Sequence, residues 1–336
     1  MPPPSPSSAE LRSPIRINSQ NGRAPWVVLT MCAMVVLPAA LTLLRVAAPR
    51  PGIDPASNPT PLGYTFSLSL FIVPVVVLFA WLLPTPEYAL ARGAFWRTFA
   101  VLAPLGIVLD LLFGTAFFVF PNREATLGIE IPAVGGSVPV EEIVFYVTGF
   151  LVVLLLYIWG DEYWVRAYNI PDYRAESQQV PRLLQFDVRA PAIGVLLVAF
   201  AILYKKLLSG APQGYPWYFI YLVAAAILPA VGLYRSVSRF INWRAFSLTF
   251  FFIVLVSVLW EATLAIPYGW WNYNREMMIG VFVDAWSELP LEAILVWLAV
   301  TYTSVILYEA MKIWRASGKP LREALVGHSR ATDRER

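Results

Sequence analysis

Long apolar segments alternate with shorter polar ones along most of the chain. Eight of them are long enough, at 1.5 Å of rise per helical residue, to cross a hydrocarbon core of about 30 Å with little or no adjustment. They cover residues 26–44, 64–83, 99–120, 140–159, 192–208, 217–233, 245–266 and 291–313. The pattern predicts an all-α integral membrane protein with about eight transmembrane helices.

Composition supports this class over a soluble enzyme. Of the 336 residues, 58% are hydrophobic and only 14% are charged. Soluble domains carry charge on about a quarter of their residues, so this chain lacks the polar surface that water requires. Residues 1–24 are rich in Pro and Ser and are expected to be a disordered cytosolic tail, and residues 314–336 a basic one.

The basic residues of the loops indicate the orientation in the membrane. With the N-terminus inside, nineteen of the 25 Lys and Arg residues fall on the cytosolic side and six on the opposite side. Cytosolic loops of membrane proteins carry the excess of positive charge. We therefore expect a multi-pass protein with both termini in the cytosol, in the cell membrane if the chain is bacterial.

Two halves of the chain share a series of landmarks. They are Trp96-Arg97-Thr98-Phe99 with Trp243-Arg244-Ala245-Phe246, Asp110 with Glu261, Asn122-Arg123-Glu124 with Asn274-Arg275-Glu276, Gly128 with Gly280, and Pro139-Val140-Glu141 with Pro290-Leu291-Glu292. The order is the same and the offsets differ by a few residues. This predicts two tandem four-helix repeats at 25–162 and 190–313, joined by a polar cytosolic linker at 163–189. An even number of spans makes the repeats parallel, which favours a site between them.

A few carboxylates fall in or beside apolar segments. Asp110 and Glu261 lie inside them, whereas Glu141, Glu142 and Glu292 lie in the first turn of a predicted helix. Low dielectric favours the protonated form of a carboxyl group, which is the form of a general acid. For the three first-turn residues an ordinary helix start, with the carboxylate offsetting the helix dipole, is an equally good explanation. Intramembrane acids such as the other two usually line a site or a pathway.

Several cofactor and partner classes have no support. The chain has one Cys (Cys32) and one His (His328), too few for a cysteine cluster or a histidine-bound iron, and no glycine-rich nucleotide motif. We expect no cofactor and no metal. A net charge of +3 does not indicate nucleic acid as a partner.

Aromatic residues accompany the acids. The candidates for substrate binding are Phe145, Tyr146, Trp260, Trp270, Trp271 and Trp297. Aromatic faces stabilise cations. An interfacial aromatic belt would also explain Trp270 and Trp271, which lie in a loop.

The sequence 139–146, Pro-Val-Glu-Glu-Ile-Val-Phe-Tyr, resembles the Pro-x-Glu-Glu-x-x-Phe-Phe motif of the small membrane lycopene cyclases. The run 269–274, Gly-Trp-Trp-Asn-Tyr-Asn, followed by Gly280 and Pro290-Leu291-Glu292, resembles the second half of the same domain pair. The resemblance covers residues 30–313. Asn274 belongs to this run and is a further candidate for substrate binding.

The resemblance implies cofactor-independent cyclisation of a linear carotenoid end group. An acid protonates the terminal double bond, a neighbouring double bond attacks the cation, and proton loss completes a β-type ring. Glu142 or Glu141 would be the acid and Asp110 its partner or proton relay, with Glu261 and Glu292 as counterparts in the second repeat. The expected partners are a hydrophobic carotenoid and the lipid bilayer, with other carotenoid enzymes as further candidates.

The second repeat departs from the family pattern. Ala293 stands where the family often has a second Glu, and Leu295-Val296-Trp297 replaces the aromatic pair. We therefore expect one catalytic site, centred on the first repeat.

Two other functions fit the same features. A carotenoid hydratase would capture the same cation with water, and the sequence does not separate it from a cyclase. A proton-coupled transporter would also use intramembrane acids and repeats, although the predicted spans offer few of the polar side chains that line a path for a polar solute.

Overall fold

The computed structural model describes residues 60–82, 89–165 and 173–327, and eight single positions between residues 29 and 44. Those eight positions are helical. The first predicted span lies mostly outside the described residues. The predicted N-terminal tail lies entirely outside the described residues, and the C-terminal tail lies outside them from residue 328 onward.

The described part of the chain is mostly helical. Its helices are α1 (Gly63–Leu82), α2 (Ala89–Phe117), α3 (Val140–Trp159), α4 (Tyr173–Gln178), α5 (Arg189–Leu207), α6 (Trp217–Val237), α7 (Trp243–Trp260), α8 (Glu292–Ser317) and α9 (Leu321–Val326). Seven of these, all but the short α4 and α9, are long and apolar enough to cross a membrane. They correspond to the last seven predicted segments and confirm a multi-pass helical membrane protein.

The helix ends differ from the apolar segments for local reasons. Helix α2 begins about ten residues before the predicted segment, because polar turns around Arg92 and Arg97 precede the apolar part. Helix α8 continues to Ser317, and Gly318 ends it in a left-handed conformation with φ of 69°. Helices α3 and α7 each continue into one turn of π-helix, at Gly160–Trp164 and Glu261–Ala265.

Six short strands, which an all-α prediction does not contain, form three antiparallel pairs. Strand β1 (Phe118–Val119) pairs with β4 (Asn272–Tyr273), β2 (Glu130–Ala133) with β3 (Gly136–Pro139), and β5 (Phe282–Val283) with β6 (Leu289–Pro290). Strands of two to four residues are too short to show the alternation from which a strand is predicted. They order the loops that precede α3 and α8.

Helix α3 occupies the centre of the bundle. It contacts α1, α2, α7 and α8, and its residues from Val152 to Tyr157 are almost completely buried. Helices α5 and α6 lie at the periphery, where most of their side chains are accessible. In the first turn of α3, Glu141 and Glu142 are also buried.

Reciprocal hydrogen bonds join the loop after α2 to the loop after α7. The backbone N–H of Asn122 donates to the carbonyl oxygen of Gly269 (3.0 Å), and that of Asn274 to the carbonyl oxygen of Phe117 (2.8 Å). Each asparagine side chain also donates to the carbonyl oxygen of the residue before that acceptor, at 3.0 and 3.1 Å. The two loops are fixed to each other beside the helix starts that carry the candidate acids.

A buried ionic cluster joins α3 and α8 at their other ends. The ammonium group of Lys312 lies 3.2 Å from a carboxylate oxygen of Asp161 and 3.2 Å from one of Glu309. Tyr157 donates to Glu309 (2.9 Å), and Asn242 donates to Asp161 (3.0 Å). The predicted span at 291–313 places Lys312 at the end of the last transmembrane helix, and the charge count assigns it to the cytosolic side. The structure shows that Lys312 is buried in α8, at 3% exposure.

The predicted linker and tail pack together. The N–H of Leu183 donates to the carbonyl oxygen of Ala324 (2.8 Å) and that of Leu184 to Leu325 (3.0 Å). Parts of both segments are therefore ordered against the helical bundle.

Candidate functional site

A cavity opens between the first halves of α3 and α8. Its volume is about 670 Å³, including the space at its open mouth. The lining residues are Tyr64, Phe118, Phe120, Glu142, Phe145, Tyr146, Gly149, Phe150, Tyr218, Glu261, Trp271, Tyr273, Val296, Trp297 and Val300. The wall is largely aromatic and carries two carboxyl groups. Binding pockets for small molecules commonly place a few polar groups in an apolar wall in this way.

Glu142 lies at the start of α3 and lines the cavity. The hydroxyl of Tyr64, on α1, donates to its Oε1 at 2.7 Å. The ring of Tyr64 is fully buried and packs against Trp270 and Trp271, with centroids 6.1 and 5.0 Å apart. The carboxyl group is thus held in a fixed position at the cavity wall.

Glu141 points away from the cavity, although it is adjacent to Glu142. Consecutive residues on a helix project about 100° apart. Its Oε1 accepts hydrogen bonds from the Thr65 hydroxyl and from the backbone N–H of Leu127, the latter at 2.8 Å. Glu141 therefore holds the preceding loop against the start of α3.

Glu292 has the same arrangement at the start of α8. Its Oε1 accepts the backbone N–H of Ile279 at 2.5 Å, and it does not line the cavity. The position after it, equivalent to Glu142, is Ala293, which is fully buried. Of the three acids in the first turns, the structure brings only Glu142 to the cavity.

Asp110 lies on α2, behind the cavity wall. It is 3% exposed, and its hydrogen-bonding neighbour is Tyr146, which lines the cavity. Its side chain folds over Gly114, where an added Cβ would lie 2.5 Å from Oδ1. Asp110 reaches the cavity through Tyr146 rather than directly.

Glu261 lines the cavity from the end of α7. Its Oε1 lies 2.5 Å from the hydroxyl of Ser257, one helical turn earlier, and its Oε2 lies 2.5 Å from the hydroxyl of Tyr273. The indole N–H of Trp297 donates to the Ser257 hydroxyl at 2.6 Å. Burial, with the neighbouring Glu261, raises the pKa of Tyr273 well above its ordinary value.

Some of the predicted aromatic residues line the cavity, and one packs behind those that do. Phe145, Tyr146, Trp271 and Trp297 line the cavity. Trp260 lies behind the lining, with its ring centroid 5.9 Å from that of Phe145 and 5.4 Å from that of Trp271.

Two predicted binding residues have structural contacts instead. Trp270 is fully buried and donates its indole N–H to Thr60 at 2.8 Å. Asn274 makes the loop contacts described above. Neither lines the cavity.

Several lining residues are absent from the sequence-based candidates. Tyr64 and Tyr218 lie in apolar segments, where a tyrosine is not distinctive. Tyr64 meets Glu142 across 78 residues of sequence. Only their position against an acid or a ring identifies them, and that position depends on the packing of separate helices.

Comparisons with protein-family models, curated proteins and solved structures find no match to this chain. The function is therefore argued from the cavity and its side chains.

Proposed function

We propose that the protein is a carotenoid end-group cyclase of the lycopene cyclase kind, which closes a ring by acid catalysis without a cofactor. The observation that carries the proposal is the position of Glu142, a carboxyl group held by Tyr64 in the wall of an aromatic cavity inside apolar helices. The motif resemblance at 139–146 independently points to Glu142 or its neighbour Glu141 as the acid.

The chemistry requires a proton donor beside an alkene. Glu142 is 7% exposed and faces a largely aromatic cavity, where a neutral carboxyl group is favoured over an isolated carboxylate. Its proton adds to the terminal double bond of the end group and leaves a tertiary cation. A neighbouring double bond attacks that cation and closes the ring.

The cavity wall suits the cationic intermediate. The rings of Phe145, Trp271 and Trp297 face the same space as Glu142. Aromatic faces stabilise a cation by about 0.5–1 kcal/mol at exposed sites and by about 2 kcal/mol when water is excluded. Apolar walls also accept a hydrocarbon end group, whereas a polar solute would find few hydrogen-bonding partners.

We further propose two parallel four-helix repeats, with eight spans and both termini in the cytosol. The reciprocal hydrogen bonds support this, since Asn122 and Asn274 differ by 152 positions and so do their acceptors Phe117 and Gly269. The equivalent roles of Glu141 and Glu292, 151 positions apart, support it further. The segment 26–44 would complete the first repeat.

The test is conversion of lycopene by membranes that contain the full chain. We expect a cyclic product of unchanged mass, because the reaction is an isomerisation. A product heavier than lycopene by the mass of one water would show that the protein is a hydratase and not a cyclase. Unchanged lycopene, with the protein present in the membrane, would contradict both activities.

A further inference from the structure

The two carboxyl groups of the cavity have different hydrogen-bond environments. Among the described residues, Tyr64 provides the hydrogen bond to Glu142, at one of its oxygens. Glu261 has a hydroxyl group at each of its oxygens, from Ser257 and Tyr273. In catalytic pairs of acids, such environmental differences assign the two roles.

The direction of the hydrogen bonds at Glu261 follows from Trp297. An indole N–H can only donate, so the Ser257 oxygen accepts from Trp297 and turns its own proton toward Glu261. The Tyr273 phenol retains its proton, since its pKa is raised, and it can donate to the other oxygen. Both oxygens of Glu261 then accept a hydrogen bond, an arrangement that favours the carboxylate form, and each oxygen keeps a further lone pair that can take a proton.

We propose that Glu261 is the base that removes a proton from the cyclised cation, and that Ser257 and Trp297 are positioning residues that hold it ready. This assignment rests on the proposed cyclase function. Glu142 starts the reaction and Glu261 ends it, at two places on the wall of one cavity.

The steps balance without an oxidant or reductant. Glu142 gives its proton to the terminal alkene carbon, and the electron pair of the neighbouring double bond forms the new ring bond. The Glu261 carboxylate then takes a proton from a carbon next to the ring cation, and the electrons of that C–H bond form the ring double bond. After product release one proton passes from Glu261 back to Glu142.

A fixed base also determines the product. Several C–H bonds adjoin a ring cation, and loss of each proton places the ring double bond differently. The base that lies closest to one of them selects it. Loss of the hydrogen bonds that position Glu261 should therefore change the product composition as well as the rate.

Variants at positions 261, 297 and 257, in membranes that contain lycopene, test this assignment. Glu261→Gln removes the base and should lower ring closure by about 100-fold, the range of general base catalysis. Trp297→Phe keeps an aromatic wall but removes the N–H. It should lower the rate by about tenfold and raise the share of other ring isomers or hydrated product.

Thr and Val at position 257 provide a matched pair, because they differ in a hydroxyl but little in shape. Ser257→Thr should keep the wild-type product composition, whereas Ser257→Val should show the altered composition of Trp297→Phe. Chromatography of the pigments, normalised to protein in the membrane, measures both. Glu130→Gln, an exposed acid beside β3, is the control.

The outcomes separate the base assignment from the function itself. Wild-type cyclisation with unchanged rate and products in Glu261→Gln would overturn the assignment and leave the cyclase standing. Identical products from the Thr and Val variants would overturn the positioning role, even if Glu261→Gln fails to accumulate. No cyclisation by the wild type would instead reject the proposed function.

Discussion

Glu141 and Glu142 are neighbours in sequence with different surroundings in the folded protein. Glu142 lines the cavity and accepts from Tyr64, whereas Glu141 accepts the backbone N–H of Leu127. Residue type and the motif leave either one as the acid. The choice depends on which side of α3 faces the cavity, and only the packed helices show it.

Glutamine substitutions separate these two roles. Glu142→Gln removes the transferable proton but keeps an oxygen for Tyr64, so we expect ring closure to fall by about 100-fold with little change in stability. Glu141→Gln keeps an acceptor for Leu127, and activity should stay within about threefold of the wild type. Pigment chromatography and a thermal melt in detergent measure the two effects. A greater loss of activity in Glu141→Gln than in Glu142→Gln would make Glu141 the acid and would contradict the assignment to Glu142.

The predictable part of the site follows from residue chemistry. Intramembrane acids and aromatic residues are conspicuous in an apolar chain, and Glu142, Glu261, Phe145 and Trp297 do line one cavity. The tyrosine that holds Glu142 is not conspicuous, because an apolar span tolerates tyrosine. Contacts between distant helices determine such residues.

At the scale of elements, seven helices could be predicted because each is an apolar run of about twenty residues. The residues by which these helices extend beyond the apolar runs could not be predicted. Helix α8 continues four residues beyond the apolar segment, to Ser317. The partners of Lys312 lie on α8 itself and at Asp161, 151 residues away. A hydropathy pattern contains no information about that pairing.

The ionic cluster should be a principal link between α3 and α8. Lys312→Met leaves the buried carboxylates of Asp161 and Glu309 without this ammonium group, and removal of one partner from a buried pair costs about 3–5 kcal/mol. We expect a melting temperature several degrees lower in detergent. Addition of Asp161→Asn should recover part of the loss.

Arg322→Ala provides the control for this measurement, because Arg322 is exposed on α9. The melting temperature of Arg322→Ala should equal that of the wild type. If Lys312→Met had the same melting temperature as Arg322→Ala, the ionic cluster would contribute little to the stability of the bundle.

At the scale of the whole molecule, the orientation rests on the distribution of 25 basic residues among the loops. A reporter that is active only outside the cytosol should be silent when fused after residue 336. The same reporter fused at Pro212, in the loop between α5 and α6, should be active. The opposite pattern would reverse the proposed topology, and activity at both sites would contradict the three spans, α6 to α8, that separate them.

The central claim is that Glu142 protonates a linear carotenoid inside this cavity. The most direct measurement is pigment chromatography of lycopene-accumulating cells that express the wild type, Glu142→Gln or Glu130→Gln at equal levels in the membrane. We predict cyclic carotenoid with the wild type and with Glu130→Gln, and nearly unchanged lycopene with Glu142→Gln. Equal cyclic product from all three chains, or none from the wild type, would contradict the claim.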